Sequence, residues 1–232
     1  MNPLLLELGG ASPARVLAVG AHCDDIEIGA GGLLAAIARA LPDTRFRFLV
    51  MTSTPERAGE ARACLAELVS PAEAETTVLD LPDTRLPGRF DDVKDQLAGL
   101  SRAPWDLVVT HSPDDAHQDH RLLGELTPTA FRDHLILHYE IPKWDGDLGT
   151  LRPNLYLPLT GHEVARKWAL LDRHYVSQRG HDWFTEETFR SLARLRGMES
   201  RADYAEAFRV GKAVLQISSA TGPRPSTTKD DA

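Results

Sequence analysis

Two short stretches concentrate the residues able to do chemistry. The first, AHCDDIEIGAGG at 21–32, sets His22 and the adjacent Asp24 and Asp25 between an apolar run and three glycines. The second, HSPDDAHQDHR at 111–121, holds His111, Asp114, Asp115, His117, Asp119 and His120. Adjacent carboxylates repel each other. A solvated loop tolerates that at little cost, whereas a binding site for a divalent cation requires it. The pooled set is rich in imidazole and carboxylate and poor in thiol. That suits zinc or a similar divalent ion in a catalytic site, with three protein ligands and one open position for water. Gly29, Gly31 and Gly32 raise the alternative of a dinucleotide loop. Their spacing is G-x-G-G rather than G-x-G-x-x-G, and Asp24 and Asp25 stand where they would repel a pyrophosphate. An NAD(P)-dependent oxidoreductase fails on that spacing, and the glycines serve a tight turn and close helix–strand packing.

The two clusters act together only if the fold joins them. Apolar, β-rich runs at 15–22, 46–53, 75–81, 106–112 and 134–141 alternate with helical patterns at 30–41, 56–69, 90–102 and 119–132. Within the second helix Ala58, Ala61, Leu65 and Leu68 make one apolar face. The strands are nearly continuous apolar runs, as when helices cover both faces of a parallel sheet. The alternation predicts a doubly wound α/β domain with a mostly parallel sheet. In such a sheet ligands bind beyond the carboxyl ends of the strands. The first cluster follows the first strand and the second follows the fourth, so adjacent central strands bring them together. After residue 160 no further strand is expected. Val164, Trp168, Leu171 and Tyr175 form a helical stripe, and 185–197 is a last helix on the same domain. The expected organisation is one domain over 1–217 and a polar, disordered tail over 218–232.

The 232 residues, 42% hydrophobic and 26% charged, suit a soluble globular protein with a real core. A net charge of −8 without any basic block argues against nucleic acid and anionic membrane as partners. No apolar run approaches the roughly 20 residues of a membrane span, and MNPLLLELGG lacks the basic start of a signal peptide. Cys23 and Cys64 are the only cysteines, which makes no disulfide framework and points to a reducing cytoplasm. Nothing in the sequence fixes an oligomeric state, and a homo-oligomer stays open.

The chain resembles the PIG-L/LmbE-like N-acetylglucosaminyl deacetylases. Their first motif is matched by Ala21-His22-Cys23-Asp24-Asp25-Ile26-Glu27-Ile28-Gly29-Ala30-Gly31-Gly32, and their second by His117-Gln118-Asp119-His120-Arg121. Weaker echoes are Arg57 and Glu60 in PERAGEARACLAEL, the stretch KWALLDRHYVSQ at 167–178, and YAEAFRV at 204–210. Cys23 and Gln118 stand where the family has proline. Both neighbour the expected ligands, and Cys23 reads as a small packing residue.

The resemblance implies a Rossmann-like fold and a metal-dependent amidohydrolase holding Zn2+, or another divalent ion such as Fe2+. By resemblance and physical need together, His22, Asp25 and His120 would hold the metal and Asp24 would be the general base. His117 would donate to the oxyanion, and Asp119 would orient His117 or a ligand histidine. Arg57 would contact a substrate hydroxyl or phosphate; its plain reading is a solvated helix charge. The loops after the third and fifth strands carry Asp83, Arg85, Tyr139, Glu140 and Trp144. These are candidates for binding and stacking a sugar, or else ordinary loop residues. Asp114 and Asp115 read as caps of the turn before His117, and His111 as structural. The expected function is removal of an N-acetyl or related acyl group from an amino-sugar-containing small molecule or glycoconjugate precursor. The alternative is a non-catalytic member that binds a metal or sugar in a biosynthetic pathway.

Overall fold

In the computed structural model, which describes residues 3–10, 12–142 and 151–215, each of the five apolar runs is a strand. These are β1 (Arg15–Gly20), β2 (Arg45–Thr52), β3 (Glu73–Leu81), β4 (Leu107–His111) and β5 (Ile136–Tyr139). All five are parallel, in the order β3-β2-β1-β4-β5. Side chains alternate across the sheet. Val16 and Ala18 of β1 join one apolar cluster, and Leu17 and Val19 join the other. The first cluster is covered by α1 (Asp25–Ala40), α2 (Pro55–Val69) and α5 (Gly161–His174), with Phe189 of α6 (Glu186–Ser200) added. The second is covered by α3 (Phe90–Leu100) and α4 (Gln118–Ala130). Leu34, Leu65, Leu97 and Leu123 are completely buried, and each such side chain contributes about 1.5–3 kcal/mol of apolar burial.

Two expectations are corrected. The sheet does not end with β5, and a strand does follow residue 160. β6 (Leu155–Leu159) and β7 (Tyr204–Val210) extend the sheet antiparallel, giving seven strands in the order β3-β2-β1-β4-β5-β7-β6. β6 carries Pro158, which only an edge strand tolerates, and β7 reads YAEAFRV, where alanine and glutamate hide the strand signal. Burial of Ala205, Ala207 and Phe208 against neighbours overrides that weak local preference.

The second correction is the start of α1, which begins at Asp25 rather than at 30, so Gly29, Gly31 and Gly32 lie inside the helix. A glycine in a helix interior costs about 1 kcal/mol relative to alanine. Here close approach requires it. A Cβ on Gly29 would fall 2.2 Å from the Tyr139 ring, and one on Gly32 would fall 2.9 Å from the Glu206 carboxylate. The other helices begin within two residues of expectation. Thr54 caps α2 by accepting the Arg57 amide, and Thr160 forms a capping box with Glu163 at the start of α5. The tail expected over 218–232 lies outside the described residues. No helix among the described residues is long and apolar enough to cross a membrane.

Candidate metal centre

The strand order reverses direction between β1 and β4, and their carboxyl ends lie side by side. This is the switch point where doubly wound sheets bind ligands. β1 ends at Gly20, two residues earlier than expected, because side chains take over its backbone. The Ala21 amide donates to His111 Nε2 at 2.9 Å and the His22 amide to Asp25 Oδ2 at 2.7 Å. Asp24 then turns the chain with φ 115, a region that L-residues rarely occupy and that costs about 1–3 kcal/mol. The turn separates two adjacent carboxylates: Asp25 joins the histidines while Asp24 faces Arg57. On the other side, Asp115 Oδ1 accepts the His117 amide at 2.8 Å, and His117 Nδ1 accepts the Asp119 amide at 3.2 Å as the N-cap of α4. That bond leaves the His117 ring proton on Nε2.

Three donor atoms converge. His22 Nδ1 lies 3.1 Å from His120 Nε2 and 3.2 Å from Asp25 Oδ2, and the last two are 3.5 Å apart. A tetrahedral ion with ligand bonds of about 2.0–2.1 Å needs donors about 3.3 Å apart. The residues present therefore fit a divalent metal. All three are buried. Their far atoms meet carboxylates, as ligand histidines require. His120 Nδ1 sits 3.0 Å from Asp115 Oδ2. His22 Nε2 sits 2.9 Å from Asp83 Oδ1 and 3.4 Å from Asp119 Oδ2, close contacts whose angles fall short of full hydrogen bonds. Asp119 Oδ1 accepts the Leu86 amide at 3.1 Å, fixing the carboxylate in place. Three neighbouring donor groups, His22–His117–His120, Asp25–His111–His120 and His22–Asp83–Asp119, also gather within 4.8 Å. His111 Nε2 is engaged by the Ala21 amide, and His117 Nδ1 by its cap. In the His22–Asp25–His120 triangle the ring nitrogens His22 Nδ1 and His120 Nε2 face the other donors rather than a backbone amide, and a carboxylate backs each histidine.

Among the protein groups alone, the two adjacent aspartates are driven apart. Burial pushes the Asp24 carboxyl well above its usual range, and Arg57, 3.3 Å away, only partly offsets this. Burial also acts on Asp25, but His120, His111 and His22 outweigh it and hold Asp25 well below that range. Burial lowers His120 to about 3, aided by His111, so it presents a neutral imidazole. Burial lowers His22 too, yet Asp25, Asp119 and Asp83 together raise it well above 6.5. Burial pushes the Cys23 thiol up to about 12; its Sγ rests 3.7 Å from the Thr52 carbonyl, and it plays no part as a ligand.

Several expected substrate residues are placed elsewhere. Tyr139 offers no stacking face: it is completely buried against Gly29, with its hydroxyl donating to the Val19 carbonyl at 2.8 Å. Glu140 is taken by Arg196, whose Nε and Nη2 donate to it at 2.7 and 2.5 Å. Asp83 reaches the centre, but through His22. Its side chain is 59% exposed. Arg85 lies in the same loop, at the start of a 3₁₀ turn over Leu86–Arg89. Arg57 lies beside Asp24, with Nη2 donating to the Cys23 carbonyl at 2.5 Å. Trp144 lies outside the described residues. Gln118, in place of the family's proline, ties α4 to the loop after β3 by donating to the Thr84 carbonyl.

Sequence reasoning gave Asp115 only a cap. It is a cap, but its second oxygen also serves His120, and a D-x-H-x-x-H spacing in a turn is the signal that could have revealed it. A cavity of about 520 Å³ lies behind α1, lined by Gly31, Leu68, Arg166 and Lys167 among others. It contains none of the clustered donors, and the site is assigned by the donors rather than by the cavity.

Fold and donor set define a Rossmann-like α/β protein with a His/Asp donor cluster at its switch point. The sequence profile of the GlcNAc-PI de-N-acetylase (PIG-L) family matches residues 17–131, a span that holds both motifs. No curated protein sequence matches it. Among solved structures it is similar to the N,N'-diacetylchitobiose deacetylase of Pyrococcus horikoshii, at 20% identity over 88% of this chain and 86% of that one, TM-score 0.68. It is also similar to the 4-carboxy-2-hydroxymuconate hydratase GalB of Pseudomonas putida, at 20% identity over 89% and 100%, TM-score 0.69. A zinc-inhibited form of the teicoplanin deacetylase Orf2 matches at 17% identity over 84% and 97%, TM-score 0.60. Deacetylases and a hydratase share this architecture, so the fold alone does not select the reaction.

Proposed function

We propose that this protein hydrolyses the amide of an N-acetylated amino sugar, releasing acetate and the free amine. One observation carries the reading: next to the three-donor triangle stands a second buried carboxylate, Asp24, whose Oδ2 has no hydrogen-bond partner. The match to a de-N-acetylase family profile supports it. A divalent ion held by His22, Asp25 and His120 supplies Lewis acidity toward a water molecule and the amide carbonyl. Imidazole and carboxylate donors at tetrahedral spacing favour zinc, with iron(II) as the other metal this set accepts. Asp24 takes the proton of the attacking water, and burial raises its proton affinity above that of an ordinary carboxylate. His117 donates its Nε2–H to the carbonyl oxygen as negative charge develops there. The C–N bond breaks as the nitrogen receives the proton first taken from water, so acid and amine balance amide plus water. Asp119 and Asp83 hold His22, and Asp115 holds His120.

The exposed carboxylate of Asp83, with Arg57 and Arg85, forms the proposed contact for sugar hydroxyls or a phosphate at the mouth of the site. Both cysteines are buried and unpaired, which supports a reducing cytoplasm as the location. The test is zinc-loaded protein incubated with a panel of N-acetylhexosamine compounds, including N,N'-diacetylchitobiose, with acetate and amine both measured. Equal release of the two products is expected. A stoichiometrically loaded protein that releases neither from any member would refute the reading.

A further inference from the structure

Two residues that the metal chemistry leaves unused, Lys167 and Glu206, meet against the backbone of α1. Glu206 of β7 is buried, and its carboxylate accepts the Gly32 amide at 2.6 Å and the Leu33 amide at 2.8 Å. Both amides lie in the body of the helix, where the ladder assigns them the carbonyls of Ile28 and Gly29. The Ile28 carbonyl receives the Lys167 ammonium at 2.6 Å, and the same ammonium holds Glu206 Oε1 at 2.7 Å. One rung of the helix is thus served from outside, by α5 and β7 together. Two more side chains grip the same stretch: Tyr175 donates to Glu27 Oε1 at 2.5 Å, and the Tyr139 ring occupies the space beside Gly29. All these targets fall between Glu27 and Leu33, in the turns that directly follow Asp25.

We propose that Lys167 and Glu206 are positioning residues for the metal centre. They fix the axial position and rotation of α1, and so hold Asp25 Oδ2 within reach of His22 Nδ1 and His120 Nε2. A scaffold helix gains nothing from this arrangement. Alanines in place of Gly29 and Gly32 would favour the helix itself, and a buried ion pair recovers little beyond its own desolvation. Placement to within about 0.5 Å is what a ligand set demands, and a clamp on the helix that bears the ligand provides it. The inference rests on the metal reading of the site and not on the choice of substrate.

The experiment measures the zinc affinity of metal-stripped protein by competition with a chromophoric chelator, at a temperature where circular dichroism shows each variant folded. The variants are Lys167→Met, Glu206→Gln and the double substitution, with Leu97→Ala in α3, on the far face of the sheet, as a destabilised control. Lys167→Met and Glu206→Gln should each weaken zinc binding by about 10-fold or more, as for lost support of a ligand. The double variant should be no worse than the singles, because the pair acts as one unit. Leu97→Ala should melt earlier yet bind zinc as the wild type does. Should a variant fail to fold, Lys167→Arg and Glu206→Asp take its place and should show a smaller loss in the same direction. Unchanged zinc affinity in the folded variants would overturn the proposal, as would equal weakening in Leu97→Ala. A wild type that binds no zinc would refute the metal reading and this proposal with it. A wild type that binds zinc but releases no acetate would refute the deacetylase reading alone.

Discussion

Replacing Asp115 by asparagine isolates the support of one ligand. Asp115 Oδ1 accepts the His117 amide at 2.8 Å, and Oδ2 lies 3.0 Å from His120 Nδ1. Asparagine keeps the size and, with its oxygen on the His117 amide, presents its NH2 to His120. His120 Nδ1 then becomes the acceptor, and the ring proton moves to Nε2. That nitrogen faces His22 Nδ1 at 3.1 Å and Asp25 Oδ2 at 3.5 Å, and once protonated it cannot bind a metal. Restoring the ligand tautomer sets two donors against each other in a buried place, at a cost of about 1–3 kcal/mol. The zinc Kd should therefore rise by roughly 10- to 100-fold, the range for a lost outer partner. Chelator competition at neutral pH measures it, and an unchanged Kd in a folded Asp115→Asn protein would refute the assignment. A second readout comes from pH. Burial pushes the Asp115 carboxyl up, but the bond to His120 outweighs it and sets the carboxyl at about 2, below the ordinary 3.8. A depressed carboxyl stabilises the fold above its unfolded value and loses that contribution as pH falls through the folded one. The stability difference between wild type and Asp115→Asn, about 2 kcal/mol from this source, should hold above pH 4 and shrink toward pH 2.

Asp24→Asn should retain zinc and lose about 10²-fold or more in kcat by acetate release; near-wild-type turnover would place the base elsewhere. His117→Ala should lower kcat by roughly 10²–10³-fold with zinc still bound, and should lower Tm as well, because a helix cap worth about 1 kcal/mol is lost. Loss of zinc in that variant would instead make His117 a ligand, which its place in the His22–His117–His120 group allows. The raised His22 value means that zinc must displace a proton there, so affinity should climb with rising pH through neutrality. Calorimetry in two buffers of different ionisation heat counts that proton, and a pH-independent affinity would contradict the contact geometry of His22. Asp83→Ala should lower kcat/KM by the equivalent of about 1–3 kcal/mol while zinc stays bound, since Asp119 still backs His22; a variant that loses zinc would show Asp83 to be chiefly a support.

The sequence by itself determined the layers and the chemistry. Nearly continuous apolar strands alternating with amphipathic helices specify a parallel sheet, because hydrophobic period is a local property that survives without knowledge of neighbours. The His22–Asp25 and His117–His120 clusters were legible for the same reason: each is short, polar and set at the end of a strand. Only the tertiary structure decided which nitrogen of His22 faces Asp25 and His120, that Asp115 backs His120 while Asp119 turns to His22, and that Tyr139 and Glu140 serve the scaffold. It also decided why α1 carries glycines: Tyr139 and Glu206 press on it from strands more than a hundred residues away in the chain. β7 escaped sequence reading because Ala205, Glu206 and Ala207 lack strand preference, and its place between β5 and β6 is set by burial alone. Contacts between residues far apart in the chain leave no period in the sequence. The direction of a side chain, the tautomer of an imidazole and the partner of a carboxylate all depend on such contacts.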